Sequence, residues 1–248
     1  MKLISPFLAA LISTSAAFAA ADFEARIVES SKALRDAGKG GDASAYYAEM
    51  ERQGKALLKD FPDKGEPYEY LLTVAEHSDP EKARSLIKDL STDKAPDEIR
   101  GRVKGLERKL DMLGKPFPMK FKAVDGREVD LEAMKGKVVL IDFWATWCAP
   151  CVAELPKVKE AYDKLHPKGF EIVGISFDED KAELEKFVKD KQMAWPQFFD
   201  GKSWQSVFAQ QYGIQGIPSM WLVNKEGKLV DLAARDGLAA KVEKLLAE

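Results

Sequence analysis

Only two cysteines occur in the 248 residues, and histidine is as scarce, with two. So few thiols exclude the disulfide framework that staples small secreted domains. With no second Cys-x-x-Cys and histidines only at His77 and His166, half of a tetrahedral zinc site is a poor reading of the pair, and neither a metal nor a cofactor is expected. An excess of one charge is lacking too: 38 Lys and Arg face 41 Asp and Glu, a formal net charge of −3. That balance offers no basic footprint for nucleic acid and no polybasic membrane patch. After the first twenty residues no apolar run approaches the length of a membrane span. The apolar fraction, 46%, is still ample for a packed core, and the length fits one or two domains.

The first residues carry their own signal. Lys2 supplies a positive start, Leu3 to Ile12 and Ala16 to Ala21 an apolar stretch, and Ala17-Phe18-Ala19 a small-x-small cleavage pattern. Residues 1–19 are therefore expected to be a signal peptide, with a mature chain beginning at Ala20 in the periplasm. An uncleaved anchor is the alternative; Ser13, Thr14 and Ser15 interrupt the short apolar core and weigh against it.

The rest divides near Gly114. Residues 20–112 read as five short amphipathic helices, over 22–37, 43–61, 66–77, 80–90 and 96–113, separated by breaks such as Gly38 to Asp42 and Pro62 to Gly65. They form no repeat regular enough for a solenoid. No cluster of ligands or nucleophiles occurs among them, so this small all-α domain is read as a spacer, a docking module or the unit of a homo-oligomer. From residue 113 to 248 strands alternate with helices, the pattern of an α/β sheet with covering helices. A hairpin turns at Asp125-Gly126, strands are expected over 138–145, 169–177, 218–223 and 228–232, and helices over 148–166, 182–191, 203–211 and 238–246, with a kink at Pro156.

Both cysteines lie in this second part, in Trp147-Cys148-Ala149-Pro150-Cys151. The β-branched run from Val138 to Ile141 reads as a buried strand, and the segment after Pro150 as a helix. The pair thus stands at a helix N-terminus, where unsatisfied amides and the helix dipole favour a thiolate over a thiol. A Cys-x-x-Cys in that setting is a redox centre rather than a staple. Cys148, the nearer to the helix end, is expected to have a thiol pKa below the free value of ~8.5, and Cys151 one above it. Asp142 is a further candidate, because an acid flanked by Ile141 and Phe143 in an apolar strand is costly unless neutral or paired. A solvated strand-end carboxylate is the alternative. Glu154 follows Cys151 by three residues, which puts it on the same helix face. It is expected near the pair; a first-turn glutamate that merely complements the dipole is its alternative.

The segment from Asp142 to Cys151 resembles the active site of the thioredoxin superfamily. Cys151-Val152-Ala153-Glu154-Leu155-Pro156, Gly136 to Val139 and Gly216-Ile217-Pro218-Ser219 are similar to the exported TlpA/ResA/DsbE-type thiol–disulfide oxidoreductases. The resemblance covers roughly Leu113 to Glu248. It implies a thioredoxin-like domain with a central mixed sheet, in which Cys148 is the exposed nucleophile and Cys151 the resolving thiol. It implies further that Asp142 lies beneath Cys151 and relays its proton, and that Glu154 modulates the cysteine pKa values. Pro218 is expected to be cis and, with Ile217, to present backbone to a substrate. Trp147 is expected to face that substrate and Trp144 the core.

The same resemblance implies disulfide-containing exported proteins as partners, apocytochrome c among them, and a membrane-embedded electron donor. Ala149-Pro150 between the cysteines carries no cation to stabilise the thiolate strongly, which favours a reductant. Three alternatives remain: a disulfide oxidase or isomerase dimerised through the helical part, a peroxidase, for which no arginine lies near Cys148 in sequence, and a redox-regulated binding module.

Overall fold

A computed structural model describes the backbone from Pro6 to Glu248 and the side chains from Ala21 onward. The expected signal peptide over residues 1–19 lies outside the residues whose side chains are described. Two compact units follow one another, up to Glu107 and from Arg108.

The first unit is built of helices α1 (Pro6–Gly38), α2 (Ala43–Asp60), α3 (Gly65–Glu76), α4 (Pro80–Leu90) and most of α5 (Asp97–Met112). Two of these helices, α2 and α4, begin at a capping aspartate. Asp42 caps α2 by accepting from the amides of Ser44 and Ala45, and Asp79 caps α4 in the same way with Pro80 in the first turn. The apolar faces of these helices meet in a core that includes Phe23, Leu57, Leu71, Leu72, Leu86 and Leu90. At Gly54 the close approach of α2 to α3 leaves no room for a side chain: a Cβ there would stand 2.9 Å from Leu71 Cδ2. No described helix is long and apolar enough to cross a membrane.

The second unit opens with a hairpin, β1 (Lys120–Lys122) and β2 (Glu128–Asp130), turning at Gly126 with φ +88°. Its centre is a five-stranded mixed sheet of β3 (Val138–Trp144), β4 (Phe170–Ser176), β5 (Gln197–Phe198), β6 (Ser219–Val223) and β7 (Leu229–Asp231), in the order β5-β4-β3-β6-β7. β3 runs parallel to β4, β4 parallel to β5, and β6 antiparallel to both β3 and β7. Every residue of β3 is buried, which explains a sequence that is apolar but for Asp142. Helices α6 (Ala149–Leu165), α7 (Lys181–Asp190), α8 (Val207–Tyr212) and α9 (Leu238–Ala247) complete the unit. This is the thioredoxin-like α/β fold expected, following a helical region.

Three details differ from the sequence reading, the first being that α1 runs Pro6–Gly38 rather than over 22–37. The two-residue strand β5 was too short to show a periodicity. The helix expected over 203–211 is instead a 3-10 turn, Ser203–Gln205, followed by α8 from Val207. Ser206, extended and fully buried, separates the two. Pro156 lies inside α6, whose span continues to Leu165.

Candidate active site

β3 delivers the chain to the N-terminus of α6, and the turn between them holds both cysteines. The Cys148 amide donates to the carbonyl of Ala145 at 3.2 Å, closing the turn. Cys148 is then the N-cap of α6, and its Sγ accepts from the Cys151 amide at 3.2 Å. A sulfur in this position takes one of the orphan amides of the first turn and lies at the helix N-terminus, where negative charge is favoured. Pro150 fits the first turn because it has no amide to leave unpaired. Cys148 and Cys151 are joined by a disulfide, with Cα atoms 5.2 Å apart. Both are buried, Cys148 at 5% and Cys151 at 6%, so in this disulfide form Cys148 is not the exposed cysteine expected from the sequence; Trp147 beside them is 54% exposed.

Thr146 holds the turn from the other side. Its amide donates to both carboxylate oxygens of Asp178, at 3.1 and 3.2 Å, and its hydroxyl donates to Oδ1 at 2.6 Å. Ser176 Oγ donates to Asp178 Oδ2 at 2.7 Å and accepts from the Asp178 amide. Trp144 is core, as expected, and its Nε1 donates to Gln197 Oε1 at 2.9 Å. Gln197 reaches that position across Gly174 of β4, where a Cβ would come within 2.7 Å of Gln197 Cδ.

Asp142 lies in β3 between Ile141 and Phe143, 5% exposed, and its Oδ1 has no hydrogen-bond partner within the protein. Burial alone pushes its carboxyl up to about 7. Such a group holds or releases a proton near neutral pH, as a proton relay must. The Ile217–Pro218 bond is cis. β6 begins immediately after it, and the pairing of Ser219 with Phe143 sets Pro218 level with the end of β3 that leads to the cysteines. Ile217 and Pro218 are both half-buried.

Glu154 points away from open solvent, with its side chain 14% exposed, but its carboxylate is bound by cations. Arg235 donates to Oε1 at 3.1 Å, and Lys157 approaches Oε2 at 3.5 Å. Partial burial pushes the carboxyl up; the hydrogen bond and charge of Arg235, with Lys157, outweigh it and hold the group below its ordinary range. Glu154 is therefore ionised at neutral pH.

The sequence reading named neither Arg235 nor Asp178. Arg235 lies 81 residues from its partner, and no local pattern announces it. Asp178 had a faint signal, an acid two residues past the end of an apolar strand. Among the described residues no group of three or more His, Cys, Asp or Glu could hold a metal ion. What remains is a cysteine pair at a helix end, an acid of raised pKa in the strand before it and a cis-proline at the strand's edge. Chemically, such a set can exchange a thiol for a disulfide.

A sequence model of the Redoxin family matches residues 112–246, just over half of the chain. The thiol-disulfide oxidoreductase ResA of Bacillus thuringiensis subsp. konkukian is 35% identical over 107 residues, which cover 43% of this chain and 60% of that protein. ResA of Bacillus subtilis is 32% identical over 106 residues, 43% of this chain and 58% of that protein. The chain thus spans less than two thirds of the length of these curated relatives. Among solved structures, the thioredoxin domain of a thiol-disulfide oxidoreductase from Bacteroides vulgatus is similar with a TM-score of 0.49 and 33% identity, over 54% of this chain and 97% of that one.

Proposed function

This chain belongs to the Redoxin family, and from that premise we propose that it is a thiol–disulfide oxidoreductase that reduces disulfides of exported proteins. The observation that carries the reading is the disulfide between Cys148 and Cys151 at the start of α6, with Cys148 as the N-cap.

In the reduced protein, the Cys148 thiolate attacks one sulfur of a partner disulfide. A Cys148–partner bond forms, and the second partner sulfur leaves as a thiolate that takes up a proton. Cys151 then loses its proton to the Asp142 carboxylate and attacks Cys148 Sγ, releasing the other partner sulfur as a thiolate, which takes up a proton as Asp142 gives its own back. The chain ends as the Cys148–Cys151 disulfide, and the partner has gained two electrons and two protons. A dithiol or membrane-embedded donor must return the two electrons for the next cycle. Trp147, Ile217 and cis-Pro218 border the turn and supply the surface on which the partner segment lies. Glu154, ionised, opposes negative charge on the sulfurs and is moderated by Arg235.

Reduction is favoured over oxidation because Ala149 and Pro150 add no charge that would stabilise the thiolate form. The leader-like first nineteen residues support a periplasmic location, where apocytochrome c cysteines are among the disulfides to be kept reduced. The helical unit would dock a partner or dimerise. A reduction potential combined with refolding of a scrambled disulfide substrate tests the direction. A reductant should show a potential below about −200 mV and no rescue of the scrambled substrate. A potential near about −120 mV, or efficient rescue, would make it an oxidase or isomerase.

A further inference from the structure

Large apolar side chains left in water are few among the described residues: Val28 in the helical unit, and Trp147, Trp204 and Val207 in the redox unit. A single exposed apolar residue is ordinary, but exposed apolar groups gathered at one place mark a binding surface. The two tryptophans are gathered. Their ring centroids lie 6.3 Å apart at 56°, and Trp147 directly precedes Cys148.

Trp204 is held there rather than left loose. Its inner edge meets the buried ring of Phe177 at 5.0 Å in an edge-to-face contact. Its carbonyl accepts from the Gln210 side chain at 2.8 Å. The Asp200 carboxylate accepts from the amides of Lys202 and Val207, fixing the loop on both sides of it. Ser203, just before it, has φ +50°, a left-handed conformation that residues with side chains adopt uncommonly. Local strain of that kind tends to persist where the surrounding structure uses it. A loop fixed at this many points still leaves Trp204 39% exposed, with its ring beside that of Trp147.

We infer that Trp204 is a specificity-determining residue: with Trp147 it forms an aromatic shelf beside Cys148 that receives an apolar or aromatic side chain flanking the partner's disulfide. The occupant follows from position, because any disulfide that reaches Cys148 brings its neighbouring residues against Trp147. Rigid, half-exposed tryptophans gain most from apolar and aromatic side chains, which they desolvate at little cost in side-chain freedom. The inference rests on the proposed function and names the substrate class for it.

The test uses the full chain with three disulfides: a short peptide with an intramolecular disulfide flanked by Leu and Phe, the same peptide flanked by Ser, and hydroxyethyl disulfide. The wild type should favour the apolar-flanked peptide over the serine-flanked one at least five-fold in kcat/KM, mainly through KM. Trp204→Ala and the bulkier Trp204→Gln should both bring that ratio close to one. Val28→Ser, in the other unit, should leave the ratio as it is. A wild type that reduces hydroxyethyl disulfide but does not distinguish the peptides would overturn the shelf alone. An equal fall with all three disulfides in both Trp204 variants would also overturn it, by making the role structural. Failure of the wild type to reduce any of them would overturn the proposed function and the shelf with it.

Discussion

Thr146 gives both its amide and its hydroxyl to the carboxylate of Asp178, at 3.1 and 2.6 Å, and so fixes the residue two positions before Cys148. Asp178 is 2% exposed, and all its partners are uncharged donors. Its removal would leave the partly buried Thr146 amide and hydroxyl and the buried Ser176 hydroxyl without this acceptor. Asp178→Ala should cost about 1–3 kcal/mol in urea unfolding of the oxidised protein. Asp178→Asn, which keeps an accepting oxygen, should lose visibly less. Equal stability of Asp178→Ala and wild type would show that the turn is held by other means.

Asp142 gives a pH dependence of definite sign. Its carboxyl titrates at about 7 when folded, against an ordinary 3.8. Between those values the folded chain keeps a proton that the unfolded chain has lost. Its contribution to stability therefore falls as pH rises through that window and is level above it. The fall amounts to at most about 4 kcal/mol. Asp142→Asn should flatten this part of the stability–pH curve and, without its proton acceptor, slow release of a mixed disulfide at Cys148. A slope that survives the substitution would assign it to another group.

The Glu154–Arg235 pair predicts a smaller and opposite dependence. Glu154 is held below its ordinary 4.5, so its contribution is present above that value and is lost as pH falls through the folded pKa. Arg235 is 45% exposed, so the pair is worth less than about 1 kcal/mol. The clearer readout is the alkylation–pH profile of the reduced protein. Glu154→Gln should shift it to lower pH by removing a negative charge, and Arg235→Gln to higher pH. Unchanged profiles in both variants, with a lower melting temperature in each, would leave the pair a purely structural tie between α6 and the loop before α9.

Gly174 offers a steric test. An added Cβ meets Gln197 Cδ at 2.7 Å, and the Gln197 side chain is the acceptor for Trp144 Nε1. Gly174→Ala should destabilise the redox unit by about 1–3 kcal/mol. Tryptophan fluorescence during the same unfolding experiment would register the change at Trp144. A neutral effect would mean that Gln197 can withdraw without loss.

Elements with a local cause were legible in the sequence. β3 is an apolar run because both of its faces are covered, and α2 and α4 start at Asp42 and Asp79 because those carboxylates cap them. The cysteine pair declared its chemistry through its position between a strand and a helix. Asp142 stood out as an acid where only apolar residues pack. What stayed hidden depends on separation along the chain. Arg235 meets Glu154, and Gln197 meets Trp144, only after the sheet has formed. β5 is two residues long and exists because β4 offers it an edge, so no periodicity could reveal it. The break falls at Ser206, fully buried and not a helix-breaking residue type, so no local pattern marks it. Residues 20–112 announced their helices through apolar spacing, but that spacing describes packing and is silent on what the unit binds.

The central claim, that Cys148 attacks and Cys151 resolves, is tested most directly by intact-mass spectrometry of two reduced single variants mixed with a peptide disulfide. Cys151→Ser should accumulate a stable adduct of one peptide on Cys148, because the resolving thiol is gone. Cys148→Ser should remain unmodified over the same period. Adduct formation at Cys151 in the Cys148→Ser variant at an equal rate, or no adduct in either, would contradict the account.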